Sequence, residues 1–175
     1  MRLPHLRVMT FPALAILAAC ATAQPLPPAE VPAALRPPAG QSLYLEALAT
    51  GVQIYECSQK PDSAYEWVFK APEASLADLS GHSLGKHYAG PTWESNDGST
   101  VVGEVKAKAP GPKPSAIPWL LLTAKANTGS GILAEAKSIQ RLATDGGLAP
   151  AEACTVANLN QVARVPYTAT YYFYR

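Results

Sequence analysis

The stretch Thr92-Trp93-Glu94-Ser95-Asn96-Asp97-Gly98-Ser99-Thr100-Val101-Val102-Gly103-Glu104-Val105-Lys106-Ala107-Lys108 decides the fold class. Asn96-Asp97-Gly98 is a turn signal, because Asp and Gly tolerate the positive φ that tight hairpin connections need. Beyond the turn the chain alternates. Val101, Gly103, Val105 and Ala107 share one face, and Val102, Glu104, Lys106 and Lys108 share the other. A period of two is the mark of a strand with two distinct faces. The stretch is expected to be a β-hairpin.

Working outward, further strand patterns alternate with turns. Val52 to Cys57 forms one, and Tyr65 to Lys70 (Tyr-Glu-Trp-Val-Phe-Lys) a second. The apolar run Trp119 to Lys125 suits a central strand, and Tyr167 to Tyr174 places Tyr167, Ala169, Tyr171 and Phe173 on one face. Ile132 to Leu142 carries helix-favouring alanines and Glu135, yet follows a Gly129-Ser130-Gly131 turn; a strand is expected. Only Ala74 to Leu79 reads as a short helix. Trp67 and Trp119 are assigned to the core. The 17 prolines and 12 glycines fit short strands and many turns better than a helical fold. Residues 41–175 are therefore expected to form one mostly β domain, an antiparallel sandwich or barrel of about seven to eight strands with one short helix.

The N-terminus reads as an export signal over residues 1–23. Arg2 and Arg7 precede the apolar run Val8 to Ala19, which is too short to span a bilayer and is interrupted by Pro12. Leu17-Ala18-Ala19-Cys20 has the form of a lipobox, with Cys20 as the lipidated residue; Ala21-Thr22-Ala23 offers an ordinary cleavage site instead. Residues 24–40 carry Pro25, Pro27, Pro28, Pro32, Pro37 and Pro38, a composition that favours an extended tether. The expected location is the periplasm or cell envelope as a lipoprotein, or a secreted soluble form. Contact with a membrane is expected through the lipid anchor only. Cys57 and Cys154 then remain in an exported domain, and are expected to pair.

Charge excludes one class of partner. Taking Arg2 and Arg7 from the 14 basic residues leaves them one short of the 13 acidic ones. That balance, without any Lys/Arg run, argues against nucleic acid. Gly129-Ser130-Gly131 lacks the further glycine and the βαβ setting of a dinucleotide fingerprint, and no cofactor is expected.

Several motifs together resemble a known family. They are Gly51-Val52-Gln53-Ile54-Tyr55-Glu56-Cys57, Gly85-Lys86-His87-Tyr88-Ala89-Gly90-Pro91-Thr92-Trp93, Asp97-Gly98-Ser99, Pro118-Trp119-Leu120-Leu121, Ile139 to Gly147, and Pro166 to Tyr171. In number and order they resemble domain-of-unknown-function family 3455, a secreted family of bacteria and fungi, from Val31 to the C-terminus. The resemblance implies an exported domain with paired cysteines at positions like Cys57 and Cys154. It implies no activity.

Side chains with chemical potential concentrate between His82 and Asp97. His82 and His87, with Asp97 or Glu94, offer nitrogen and oxygen ligands, but the spacing puts the histidines on opposite faces of a strand, and no metal is expected. His87 as a general base, with Asp97 orienting it and Ser99 as nucleophile, is the hydrolase reading; no G-x-S-x-G elbow supports it. His87, Tyr88, Trp93, Asp97 and Arg141 as a stacking and hydrogen-bonding surface for a small molecule or envelope component is the favoured reading. Arg141 lies in an apolar stretch, so its guanidinium needs Asp97 or Glu94 as an internal partner, or else an anion. A purely structural envelope protein, with Trp93 and Tyr88 as packing residues, is the third reading.

Overall fold

A computed structural model describes residue 25 and residues 30–175. The expected signal segment 1–23, with the lipobox at 17–20 and Cys20, lies outside the described residues. Eight strands follow in order: β1 (Leu43–Gln59), β2 (Tyr65–Ala77), β3 (Ser83–Tyr88), β4 (Thr92–Ser95), β5 (Thr100–Ala109), β6 (Trp119–Thr128), β7 (Ser138–Gly146) and β8 (Val162–Tyr174). Each pairs antiparallel with the next, and β8 returns to pair with β1, so the sheet closes into a barrel. Closure leaves no edge strand to be capped. Among the described residues no helix is long and apolar enough to cross a membrane.

The hairpin read from Thr92 to Lys108 is β4–β5, with Gly98 at φ 83° in its turn. Its alternation holds only in part. Val101 and Gly103 face the lumen, but the register shifts between Val105 and Ala107, and Ala107 emerges on the outer surface. A bulge of this kind changes which face the strand presents. The lumen is filled by Ala47, Ala49, Leu76, Trp93, Val101, Leu122, Ile139, Tyr167, Ala169, Tyr171 and Phe173. Gly103 is required there: a Cβ would come within 2.9 Å of the Trp93 ring and 3.1 Å of Leu122.

Three local expectations are corrected. Ala74 to Ala77 belongs to β2 and only the remainder to a turn; the described residues contain 3-10 turns and no α-helix. Ala74 and Leu76 alternate with exposed Glu73 and Ser75, and ladder bonds to β1 and β3 outweigh the local helical preference. Ile132 to Glu135 is a turn, and the strand begins at Ser138. Trp67 and Trp119 are only half-buried: Trp67 Nε1 donates to the Glu152 carbonyl at 2.8 Å, and Trp119 packs on the outer face.

That outer face carries a second cluster of Leu35, Leu121, Leu142, Tyr172 and Tyr174. The last part of the proline-rich segment 24–40 lies on it, through a 3-10 turn at Ala33–Leu35 with Leu35 fully buried. Buried Gln140 holds the segment, donating to the Leu35 carbonyl (2.6 Å) and accepting from the Tyr174 hydroxyl (2.6 Å). Cys57, near the end of β1, is bonded to Cys154, with Cα atoms 5.4 Å apart and a sequence separation of 97. The bridge ties the 147–161 connection to the barrel.

Candidate functional site

Ring closure brings distant residues into one lumen. On β7, Ile139 and Arg141 face inward while Gln140 and Leu142 face the outer cluster. Arg141 pairs in register with Tyr171 of β8 and Leu120 of β6. His87 of β3 pairs with Trp93 of β4. Together with Phe69, Leu120, Leu122 and Tyr171 these side chains line a cavity of ≈ 260 Å³. Phe69 and Val105 are about half exposed at its rim, 48% and 51%, which gives the opening an apolar lip.

His87 and Trp93 stack, their ring centroids 4.3 Å apart and their planes 13° from parallel. Tyr171 meets both edge-on, at 5.1 Å from His87 and 5.2 Å from Trp93. His87 Nδ1 lies 2.8 Å from the Thr92 carbonyl. A carbonyl only accepts, so Nδ1 carries the proton and Nε2 keeps a lone pair. Burial pushes the imidazole down to about 3, against the Thr92 bond, so it is neutral at ordinary pH. Burial also raises the phenols of Tyr167 and Tyr171, which are neutral too. Trp93 is 1% exposed, and its indole N–H finds no acceptor among the described residues.

Arg141 is half-buried. Its Nε and Nη2 donate to the Pro118 carbonyl at 3.2 and 2.8 Å. No carboxylate among the described residues pairs with it. Of the two partners considered for Arg141, an internal carboxylate or an anion, the ion pair with Asp97 or Glu94 is not formed.

Of the five expected binding residues, His87, Trp93 and Arg141 meet in the lumen; Tyr88 and Asp97 do not. Tyr88 follows His87 and so points outward, where its hydroxyl donates to Glu94 Oε2 at 2.8 Å. With Lys86 at 3.1 Å, this bond holds Glu94 below the usual carboxylate range. Asp97 is a fastener at the other end of the barrel. It accepts from the Ser99 hydroxyl (2.6 Å), the Ser99 amide (2.9 Å) and the Ile132 amide (2.7 Å), which together lower it to about 2. Ser99 in turn accepts from the Leu133 amide (3.0 Å), seating buried Leu133 in that end of the lumen. The hydrolase arrangement is not formed: Ser99 serves this loop, and His87 bonds Thr92. His82 is exposed, 3.0 Å from Asp78 in the β2–β3 turn, and does not approach His87 as a co-ligand.

Tyr171, Leu120, Leu122 and Phe69 were not singled out as site residues from sequence. A signal existed for Tyr171, which shares the alternating face of β8 with Tyr167, Ala169 and Phe173. Nothing local marked that face as a cavity wall. A family model described as a protein of unknown function (DUF3455) matches residues 38–175. No curated protein and no solved structure matches the chain.

Proposed function

We propose that this chain, which belongs to the DUF3455 family of proteins of unknown function, binds a small molecule with an apolar body in the lumen of its barrel. The observation that carries the reading is the cavity of ≈ 260 Å³ walled by the stacked His87–Trp93 pair and lined also by Arg141. Barrels of about eight strands have interiors that are either filled by side chains or sized for one small ligand. An apolar wall with few polar anchors is the usual makeup of such a site. In this reading the domain works outside the cytoplasm, in keeping with the Cys57–Cys154 bridge, and lipidated Cys20 holds it at a membrane.

The size of the cavity limits the guest. An apolar cavity of about 150 Å³ accepts benzene, so this one suits a single ring with a short substituent. The test is thermal unfolding with indole and benzyl alcohol, on the wild type and on Leu120→Trp, which fills the cavity from β6. A folded-state ligand raises stability as its concentration exceeds Kd. The wild type is expected to be stabilised in proportion to the logarithm of probe concentration, and Leu120→Trp is not. Equal shifts in both, or none at millimolar probe, refute the assignment.

A further inference from the structure

Resting on the lumen-binding reading, we infer that the guest is a monoanion, a small single-ring monocarboxylic acid whose carboxylate sits on Arg141. The argument is a count of charge in the cavity wall. Among the described residues the cavity lining has two cations, Arg141 and Lys70; Lys70 is exposed and lies 3.5 Å from Glu56, whereas Arg141 has no carboxylate partner. Among the described residues no Asp or Glu lines the cavity. The other titratable groups of the wall add no charge: His87 is neutral because burial outweighs its Thr92 bond, and Tyr171 because burial raises its phenol. A half-buried guanidinium whose partners among the described residues, the Pro118 carbonyl and the neutral Tyr171 hydroxyl, carry no charge therefore lacks a counter-charge beside an apolar wall. Removing a cation from water without a counter-charge is costly.

The chemistry of the missing partner follows from the same inventory. One positive charge takes one negative charge. A phosphate monoester carries about −1.5 to −2 at neutral pH, which would leave part of its charge unmatched beside Trp93, Leu120 and Leu122. A carboxylate is planar, singly charged and accepts two parallel N–H bonds from a guanidinium edge. Pro118 occupies Nε and one Nη2 hydrogen, which leaves the Nη1 side of the fork as donor. The apolar remainder of the guest packs on the stacked His87 and Trp93 rings, and Phe69 and Val105 at the rim admit it.

Three matched probes decide the matter by titration calorimetry: benzoate, benzyl alcohol and phenyl phosphate, against the wild type, Arg141→Met and Arg141→Lys. Loss of a charge-assisted hydrogen bond corresponds to about ten- to hundred-fold in affinity. Benzoate is expected to bind the wild type at least about ten-fold tighter than either other probe. Arg141→Met is expected to lose that advantage while keeping its affinity for benzyl alcohol, and Arg141→Lys to fall between. Arg141→Lys keeps the charge and carries the test if Arg141→Met does not fold. Benzyl alcohol binding as tightly as benzoate, or phenyl phosphate binding tighter, overturns the monoanion and leaves lumen binding intact. Failure of all three probes on folded wild type overturns both.

Discussion

Buried His87 makes the stability of the barrel depend on pH in a direction set by the site itself. Its folded-state value is about 3 against an ordinary 6.5, because the ring is 3% exposed and stacked on Trp93. Below pH 6.5 the unfolded chain takes up a proton at this position and the folded chain does not. The unfolded state thus binds more protons, and stability falls as pH falls. The loss begins near 6.5, approaches about 1.4 kcal/mol per pH unit, and ends near the folded value. Between pH 7 and pH 5 it amounts to about 2 kcal/mol. That window avoids the carboxylates: Asp78, Glu94, Asp97 and Asp145 are all held below their ordinary values and contribute their losses at lower pH. The assay is urea unfolding at pH 7, 6 and 5 with the disulfide intact, on the wild type and on His87→Phe. The variant forfeits the Nδ1–H bond to Thr92 and is expected to be weaker at pH 7, yet to lose about 2 kcal/mol less on going to pH 5. Identical pH slopes for the two proteins refute the neutral, buried imidazole. The neutral charge count around Arg141 falls with it.

Other outcomes follow from the fasteners. Cys57→Ala opens a 97-residue loop and is expected to cost about 2–5 kcal/mol of stability, read from urea midpoints, while the unfolded, unreduced wild type shows no titratable thiol. Asp97→Asn weakens three bonds at the closed end, so hydrogen exchange at the Ser99 and Ile132 amides is expected to accelerate. The stabilisation from ionised Asp97 is present above its ordinary 3.8 and is lost as pH falls towards about 2, so the variant's acid-unfolding curve should be flatter over that interval. For the proposed anchor, Cys20→Ser is expected to move the protein from the membrane to the soluble fraction; a mature N-terminus at Gln24 without acyl mass refutes lipidation.

Much of the barrel was readable in the chain because strand faces and turns are local properties. The alternation in β8 named the lumen residues Tyr167, Ala169, Tyr171 and Phe173, and Asn96-Asp97-Gly98 named a turn. The pairing of Cys57 with Cys154 was legible because the expected signal segment takes up Cys20 and leaves those two. Periodicity also contained a warning about the site: His87 and Tyr88 are adjacent in one strand, so they could not both face a common ligand.

What tertiary structure alone decided is which of these faces looks into the lumen and which residues meet there. Ala74 to Ala77 became strand because β1 and β3 lie on either side, a contact no local window contains. Asp97 became the clasp of Leu133 and Ile132 because the 129–136 turn folds over the β4–β5 end, 35 residues away in sequence. The pairing of β8 with β1 closes the sheet, and only a closed sheet sets Arg141 of β7 across a cavity from His87 of β3. Strand pairing is long-range and is settled by the burial of whole faces, whereas the sequence by itself determines the faces, the turns and the cysteines available for a bridge.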